Sequence, residues 1–99
     1  MELNNLLMNE TKNKIKTPNM YKVILINDDF TTMDFVVEIL TVVFHKTPAE
    51  ATKIMLNVHE KGKDLVGIYT YDIANTKVNI VNKMAKMKEF PLKITIEIA

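Results

Sequence analysis

The chain has 99 residues, 47% of them hydrophobic and 25% charged, which suits one packed domain and excludes global disorder. Thirteen basic residues, all lysine, stand against 12 acidic ones for a net charge of +1; a nucleic-acid binder needs a basic excess and arginine forks on phosphates and guanine edges, so that class is disfavoured. With no cysteine there is no disulfide framework, thiolate nucleophile or Cys-ligated zinc, and no apolar run approaches the ~18 residues of a membrane span.

Residues 1–17 read as a flexible N-terminal extension and residues 18–99 as the folded core. Asn4, Asn5, Asn9 and Asn13 share the segment with Lys12, Lys14 and Lys16, and Thr17-Pro18 closes it. Such composition does not offset the entropy of ordering. No basic start followed by an apolar stretch marks a secretory signal, so the expected location is the cytoplasm.

A first strand covers residues 21–26, where Val23-Ile24-Leu25-Ile26 is β-branched and apolar. Asn27-Asp28-Asp29 ends it. A helix then runs from 33 to about 44, with Thr31 as N-cap, Asp34 completing a capping box, and Val36, Ile39, Leu40 and Val43 on the buried face. Thr47-Pro48-Ala49-Glu50 opens a second helix: Thr47 caps, Pro48 takes the first helical position, and Glu50 reaches back. Ala51, Ile54, Met55 and Val58 line its apolar face, and Gly62 ends it.

A second strand spans residues 65–69. Thr70 caps a third helix that runs to about residue 87, with Ala74, Val78, Val81 and Ala85 along one side and Ile73, Ile80 and Met84 widening the stripe. Phe90-Pro91 breaks it. In the last strand, residues 92–98, Leu92, Ile94, Ile96 and Ile98 face inward while Lys93, Thr95 and Glu97 face out. The order β-α-α-β-α-β predicts a compact α+β sandwich, a three-stranded antiparallel sheet packed against three helices.

Three groups of residues have chemical potential. Asn27, Asp28 and Asp29 cluster acceptors between a strand end and a helix start, a set that suits a cation, either a metal or an amine. The plainer alternative is a polar turn with local backbone hydrogen bonds. Two adjacent acids after a first strand also resemble the magnesium pocket of receiver domains, but those need about five β-α units. His59 closes the second helix, where a histidine also suits the helix dipole, and neither it nor His45 has metal-site spacing. Met33, Val36, Met55, Val58 and Leu92 have core spacing, yet methionine also suits a pocket that accepts several side-chain shapes. No catalytic set or glycine-rich phosphate loop is present.

The run of residues 20–36, MYKVILINDDFTTMDFV, resembles the signature of the ClpS family of protease adaptors. So do residues 51–59, ATKIMLNVH, then Gly62-Lys63, Thr76-Lys77-Val78 and Pro91-Leu92. The resemblance covers about residues 18–99. It implies a non-enzymatic adaptor without cofactor or metal. Such an adaptor binds proteins whose first residue is Leu, Phe, Tyr or Trp and hands them to a Clp-class AAA+ unfoldase, of ClpA or ClpC type, working with the ClpP peptidase. By similarity Asn27, Asp29 and His59 ring the free α-amino group, with Asp28 supporting the loop. Thr31, Met33, Val36, Met55, Val58 and Leu92 line the side-chain pocket, and Met33 sits where the family places a gatekeeper against β-branched side chains. Asp72 and Lys77 match positions that dock the unfoldase's N-terminal domain; the alternative is that both are solvated helix charges. The extension fits a role in delivery. Thr32 stands where the family often has proline, and Phe30 replaces a common tyrosine.

Two other functions compete on sequence alone. A ribosomal-stalk-like or other interaction scaffold requires nothing of Asp29 or His59. A metal-dependent or phosphotransfer enzyme using Asp28 and Asp29 requires magnesium.

Overall fold

The computed structural model describes residues 19–99. The expected extension at residues 1–17 lies outside the described residues. Six elements follow in the order β1 (Met20–Ile26), α1 (Met33–Val42), α2 (Pro48–Lys61), β2 (Lys63–Thr70), α3 (Tyr71–Lys88) and β3 (Lys93–Ile98). This is the expected β-α-α-β-α-β order.

The apolar first strand becomes the centre of the sheet, whose order is β2-β1-β3 with both pairings antiparallel. Val23 lies opposite Gly67 and Ile96, and Leu25 opposite Asp64 and Ile94. Val23 and Leu25 have no exposed surface. Between Val23 and Ile24 the β2 partner steps from Gly67 to Leu65. Val66 is thus the additional residue of a β-bulge, and it is buried in the core.

The helices close the core as their patterns predict. α3 lies against all three strands, α2 against β2, and α1 against α2. Phe35, Ile39 and Leu40 of α1, Ala51 and Val58 of α2, and Ala74, Val78, Val81 and Ala85 of α3 meet Val23, Leu25 and Val66 in one cluster. Ile73 and Ile80 are corrections. Both were expected to widen the buried stripe of α3, and both are exposed. The small stripe of Ala74, Val78, Val81 and Ala85 already brings α3 onto the sheet, which leaves its flank outside the core. Ile98 was expected to face inward. It sits at the end of the sheet opposite Tyr21 and is exposed.

Helix ends follow local chemistry, with two departures. α2 begins with the complete box: Glu50 N–H donates to Thr47 Oγ1 at 3.1 Å, and Thr47 N–H donates to a Glu50 carboxylate oxygen at 2.9 Å. α1 is capped by Thr32, not Thr31. Phe35 N–H donates to Thr32 Oγ1 at 3.1 Å, so the third helical position is Phe35 and Asp34 has no box to complete. Asp34 remains a first-turn acid that favours the helix dipole. Thr70 occupies the N-cap of α3, but its side chain makes no capping hydrogen bond.

The C-terminal ends differ. Gly62 closes α2 at φ +93°, a left-handed conformation open to glycine without strain. Glu89 closes α3 at φ +59°. Its N–H donates to Lys86 O at 3.1 Å, and Phe90 N–H donates to Ala85 O at 2.9 Å, the bond pair of a Schellman motif with glutamate where glycine is usual. Phe90 then packs on Phe35 with ring centroids 5.1 Å apart.

Candidate functional site

Ile26 is the last paired residue of β1, with Lys63 on one side and Lys93 on the other. The loop that follows therefore leaves from the middle of the sheet, flanked by the start of β2 and the start of β3. Asn27 N–H donates to Gly62 O at 2.8 Å, which ties the loop to the end of α2. His59 lies in the last turn of that helix. The left-handed turn at Gly62 thus sets His59 beside the acidic loop.

Asp28 organises the loop. Its Oδ1 accepts from Phe30 N–H at 2.8 Å and from Thr31 N–H at 2.7 Å, an Asx-type turn that swings the chain into α1. Burial works to raise its pKa. Thr31's side chain, the backbone N–H groups of Thr31 and Phe30, and the charge of Lys93 outweigh that and hold the carboxyl below its ordinary value. The buried Thr31 hydroxyl lies near enough to favour the carboxylate without meeting the geometry of a full hydrogen bond. Asn27 and Asp29 remain exposed.

α1 carries Met33 at its first position and Val36 one turn on, and α2 presents Met55, Val58 and His59. The spacing i, i+3, i+4 keeps those three on one helix face. All five meet the loop at a cavity of about 240 Å³, which Asn27, Asp28, Asp29 and Thr31 complete. One mouth therefore combines carboxylates, an amide and an imidazole with two methionines and two valines. Met33 is 44% exposed while Val36 and Val58 are buried, so Met33 stands at the rim and the valines at the wall. Such a set accepts hydrogen bonds from a cation and holds an apolar group beside it. Among the described residues, no three His, Asp or Glu side chains converge to hold a metal ion.

Leu92 is the one expected pocket residue outside this lining; it packs half-buried against the core. Asp72 and Lys77 lie elsewhere, on a groove of about 550 Å³ between the end of α1 and α3. Lys77 Nζ donates to Val43 O at 2.8 Å. That contact, and the groove walls Val42, Ile73 and Ile80, have no local sequence signal beyond apolar residues on the flank of the α3 stripe.

The family model for the ATP-dependent Clp protease adaptor protein ClpS matches residues 16–95. The chain belongs to the ClpS family of Clp protease adaptors. It is 65% identical over 88 residues to the ATP-dependent Clp protease adapter protein ClpS of Acetivibrio thermocellus, covering 89% of each chain. The counterpart of Syntrophus aciditrophicus is 53% identical over 88 residues, covering 89% of this chain and 82% of that one. Among solved structures, Agrobacterium tumefaciens ClpS2 bound to L-phenylalaninamide superposes with a TM-score of 0.81 at 35% identity, covering 84% of this chain and all of that one. Membership ties the chain to Clp-mediated protein degradation. No described helix is long and apolar enough to cross a membrane.

Proposed function

We propose that the chain is a non-enzymatic adaptor for N-degrons. It binds a protein's free α-amino group and bulky first side chain, Leu, Phe, Tyr or Trp, at the 240 Å³ cavity. It then delivers that protein to the N-terminal domain of a ClpA- or ClpC-type unfoldase working with ClpP in the cytoplasm. The observation that carries this reading is the single mouth in which Asn27, Asp29 and His59 adjoin Met33, Val36, Met55 and Val58. The relative from Agrobacterium tumefaciens was solved with L-phenylalaninamide, a phenylalanine with a free amine and a blocked carboxyl. Chemically this is the first residue of a peptide.

The physical basis is a two-part test of the ligand. An ammonium group has three donors, and charge-assisted hydrogen bonds contribute about 1.5–3 kcal/mol each. Burying a leucine or phenylalanine side chain adds about 1.5–3 kcal/mol. An acetylated terminus lacks the charge and leaves acceptors unpaired; an alanine lacks the apolar area. After the cost of association, micromolar affinity is the expected order of magnitude.

The deciding experiment is fluorescence anisotropy with a Phe-first peptide, its acetylated form and an Ala-first peptide, each with and without a chelator. Only the free Phe-first peptide binds, and the chelator has no effect. Equal binding of all three peptides would falsify the reading. Met33 at the rim acts as a gate, so Met33→Ala admits Ile- and Val-first peptides. The extension at residues 1–17 is proposed to serve delivery. Deleting residues 2–16 spares peptide affinity and slows degradation of a model substrate.

A further inference from the structure

The pattern of β1 is that of a strand covered on both faces. Val23-Ile24-Leu25-Ile26 has no polar residue in alternation, whereas an antiparallel sheet with one wet face alternates apolar and polar side chains. The helices cover one face only. Val23 and Leu25 join residues of all three helices in the core cluster. Met20, Ile24, Ile26 and Ile68 belong neither to that cluster nor to the side chains packed on it. These four share the other face: residues 20, 22, 24 and 26 alternate with the core positions of β1, and Ile68 lies opposite Lys22. Met20 and Ile68 are 41% and 47% exposed. The charges on this face are Lys22, Lys63 and Lys93 against Glu97. Lys63 and Lys93 flank Ile26, and Glu97 lies opposite Lys22. Among the described residues, the face is therefore an uncovered apolar strip with a net positive surround.

The same chain contains the complement. Residues 2–10, ELNNLLMNE, have two acids, Glu2 and Glu10, and no lysine. Leu3, Leu6 and Leu7 stand at the i, i+3, i+4 spacing that gathers three side chains on one side of a helical turn. Lys12, Lys14 and Lys16 all fall in the connection that follows. That connection enters the sheet at Met20, one end of the uncovered strip. Residues 11–18 span up to roughly 28 Å when extended, and β1 itself is about 20 Å long. Residues 2–10 therefore reach every point of the strip. We propose that they dock on this open sheet face of their own chain, with Leu3, Leu6 and Leu7 over Ile24, Ile26 and Ile68, and the two glutamates among the surrounding lysines. A tether of this length gives an effective concentration on the order of millimolar, so a contact too weak to hold a separate peptide still covers the face. Docking goes beyond the degron reading and does not depend on it. The face is then the seat from which the unfoldase draws the extension, a consequence that rests on the delivery role proposed above.

The test uses the full chain, which has no cysteine of its own, with a nitroxide attached at Asn5→Cys and with labelled isoleucine and methionine methyl groups. The methyl signals of Met20, Ile24, Ile26 and Ile68 lose most of their intensity to the spin label. Those of Ile73 and Ile80, exposed on the flank of α3, keep theirs. Leu6→Ser combined with Leu7→Ser returns the four signals; both leucines precede β1, so the variant leaves the core sequence intact. Glu2→Lys combined with Glu10→Lys reduces the loss several-fold. Equal losses on the sheet face and on α3, or losses that survive the leucine variant or the charge reversal, overturn the proposal. A mixture of spin-labelled chains with separately methyl-labelled chains supplies the remaining check. If the four signals fade as strongly there, the extension of a second copy covers the face and docking within one chain is wrong. Phe-first peptide affinity is measured on the same samples. Its absence would sink the degron reading, while the methyl signals still decide where residues 2–10 lie.

Discussion

Asp28 holds the acidic loop through two short bonds to one oxygen, 2.8 Å from Phe30 N and 2.7 Å from Thr31 N. An asparagine keeps an oxygen acceptor in the same place and removes only the charge. An alanine removes both and orphans two backbone donors at the turn. Asp28→Asn should therefore stay within about 1 kcal/mol of the parent in urea unfolding, and Asp28→Ala should lose about 1–2 kcal/mol. The proposed site adds a second readout. Asp28→Asn weakens a Phe-first peptide a few-fold, through lost charge near the amine, whereas Asp28→Ala weakens it tenfold or more, because Asn27 and Asp29 lose their frame. Equal peptide affinity for the two variants would separate the loop's geometry from amine recognition. The neighbouring Thr31 hydroxyl is buried without a full partner, a feature invisible in the sequence, where Thr31 and Thr32 are equivalent candidates for the cap. The choice fell to Thr32 because Asp28 already holds the Thr31 N–H and turns the chain one residue later.

At the scale of elements, the end of α3 has a residue unsuited to its conformation. Glu89 adopts φ +59° and contributes only backbone bonds to the motif it closes. A side chain in this region costs about 1–2 kcal/mol, and glycine avoids it while adding entropy to the unfolded chain. Glu89→Gly should raise stability by about 0.5–1 kcal/mol, read as a higher urea midpoint with an unchanged slope and unchanged peptide affinity. Gly62 is the reverse case, already glycine at φ +93°. Features of this kind divide into legible and illegible by range. The box Thr47-Pro48-Ala49-Glu50 and the stop at Gly62 were legible because every partner lies within four residues. The alternation of Ile94 and Ile96 and the stripe of Ala74, Val78, Val81 and Ala85 were legible because periodicity is local. The bond from Lys77 to Val43, the tie from Asn27 to Gly62 and the exposure of Ile73, Ile80 and Ile98 depend on which elements meet, and periodicity carries no record of that. The acidic loop was visible as a cluster of acceptors. Its assembly with His59 and the methionines came only through the family resemblance.

For the molecule as a whole, the displaced pKa values give stability a pH dependence of known sign at each end. Asp28 is shifted downward, against the pull of its own burial, by Thr31, Phe30 and Lys93. Glu50 is shifted downward by its bonds to Thr47. A folded carboxyl below its unfolded value binds fewer protons than the unfolded chain near pH 4, so folding gains from it above that pH and loses the gain as the medium is acidified through the folded value. Tyr69 is shifted upward by burial from an ordinary value of 10.0. Its contribution has the opposite sign: it is complete below pH 10 and is lost as pH rises through the folded value, because the unfolded phenol ionises first. These three groups therefore add no slope of their own to stability between about pH 5 and 9; the two carboxyls contribute a decline on the acid side and the phenol one on the alkaline side. Single substitutions separate the two limbs. Tyr69→Phe keeps the ring beneath Lys77 and removes the phenol, so its alkaline decline is shallower than the parent's while its acid limb is unchanged. Asp28→Asn flattens part of the acid limb and leaves the alkaline one alone. Melting curves by circular dichroism from pH 2.5 to 11, run on the parent and both variants, check the assignment. An alkaline limb identical in Tyr69→Phe and parent would mean that ionisation of this half-buried phenol does not shape the alkaline decline, and that the ring's position beneath Lys77 matters there only for packing.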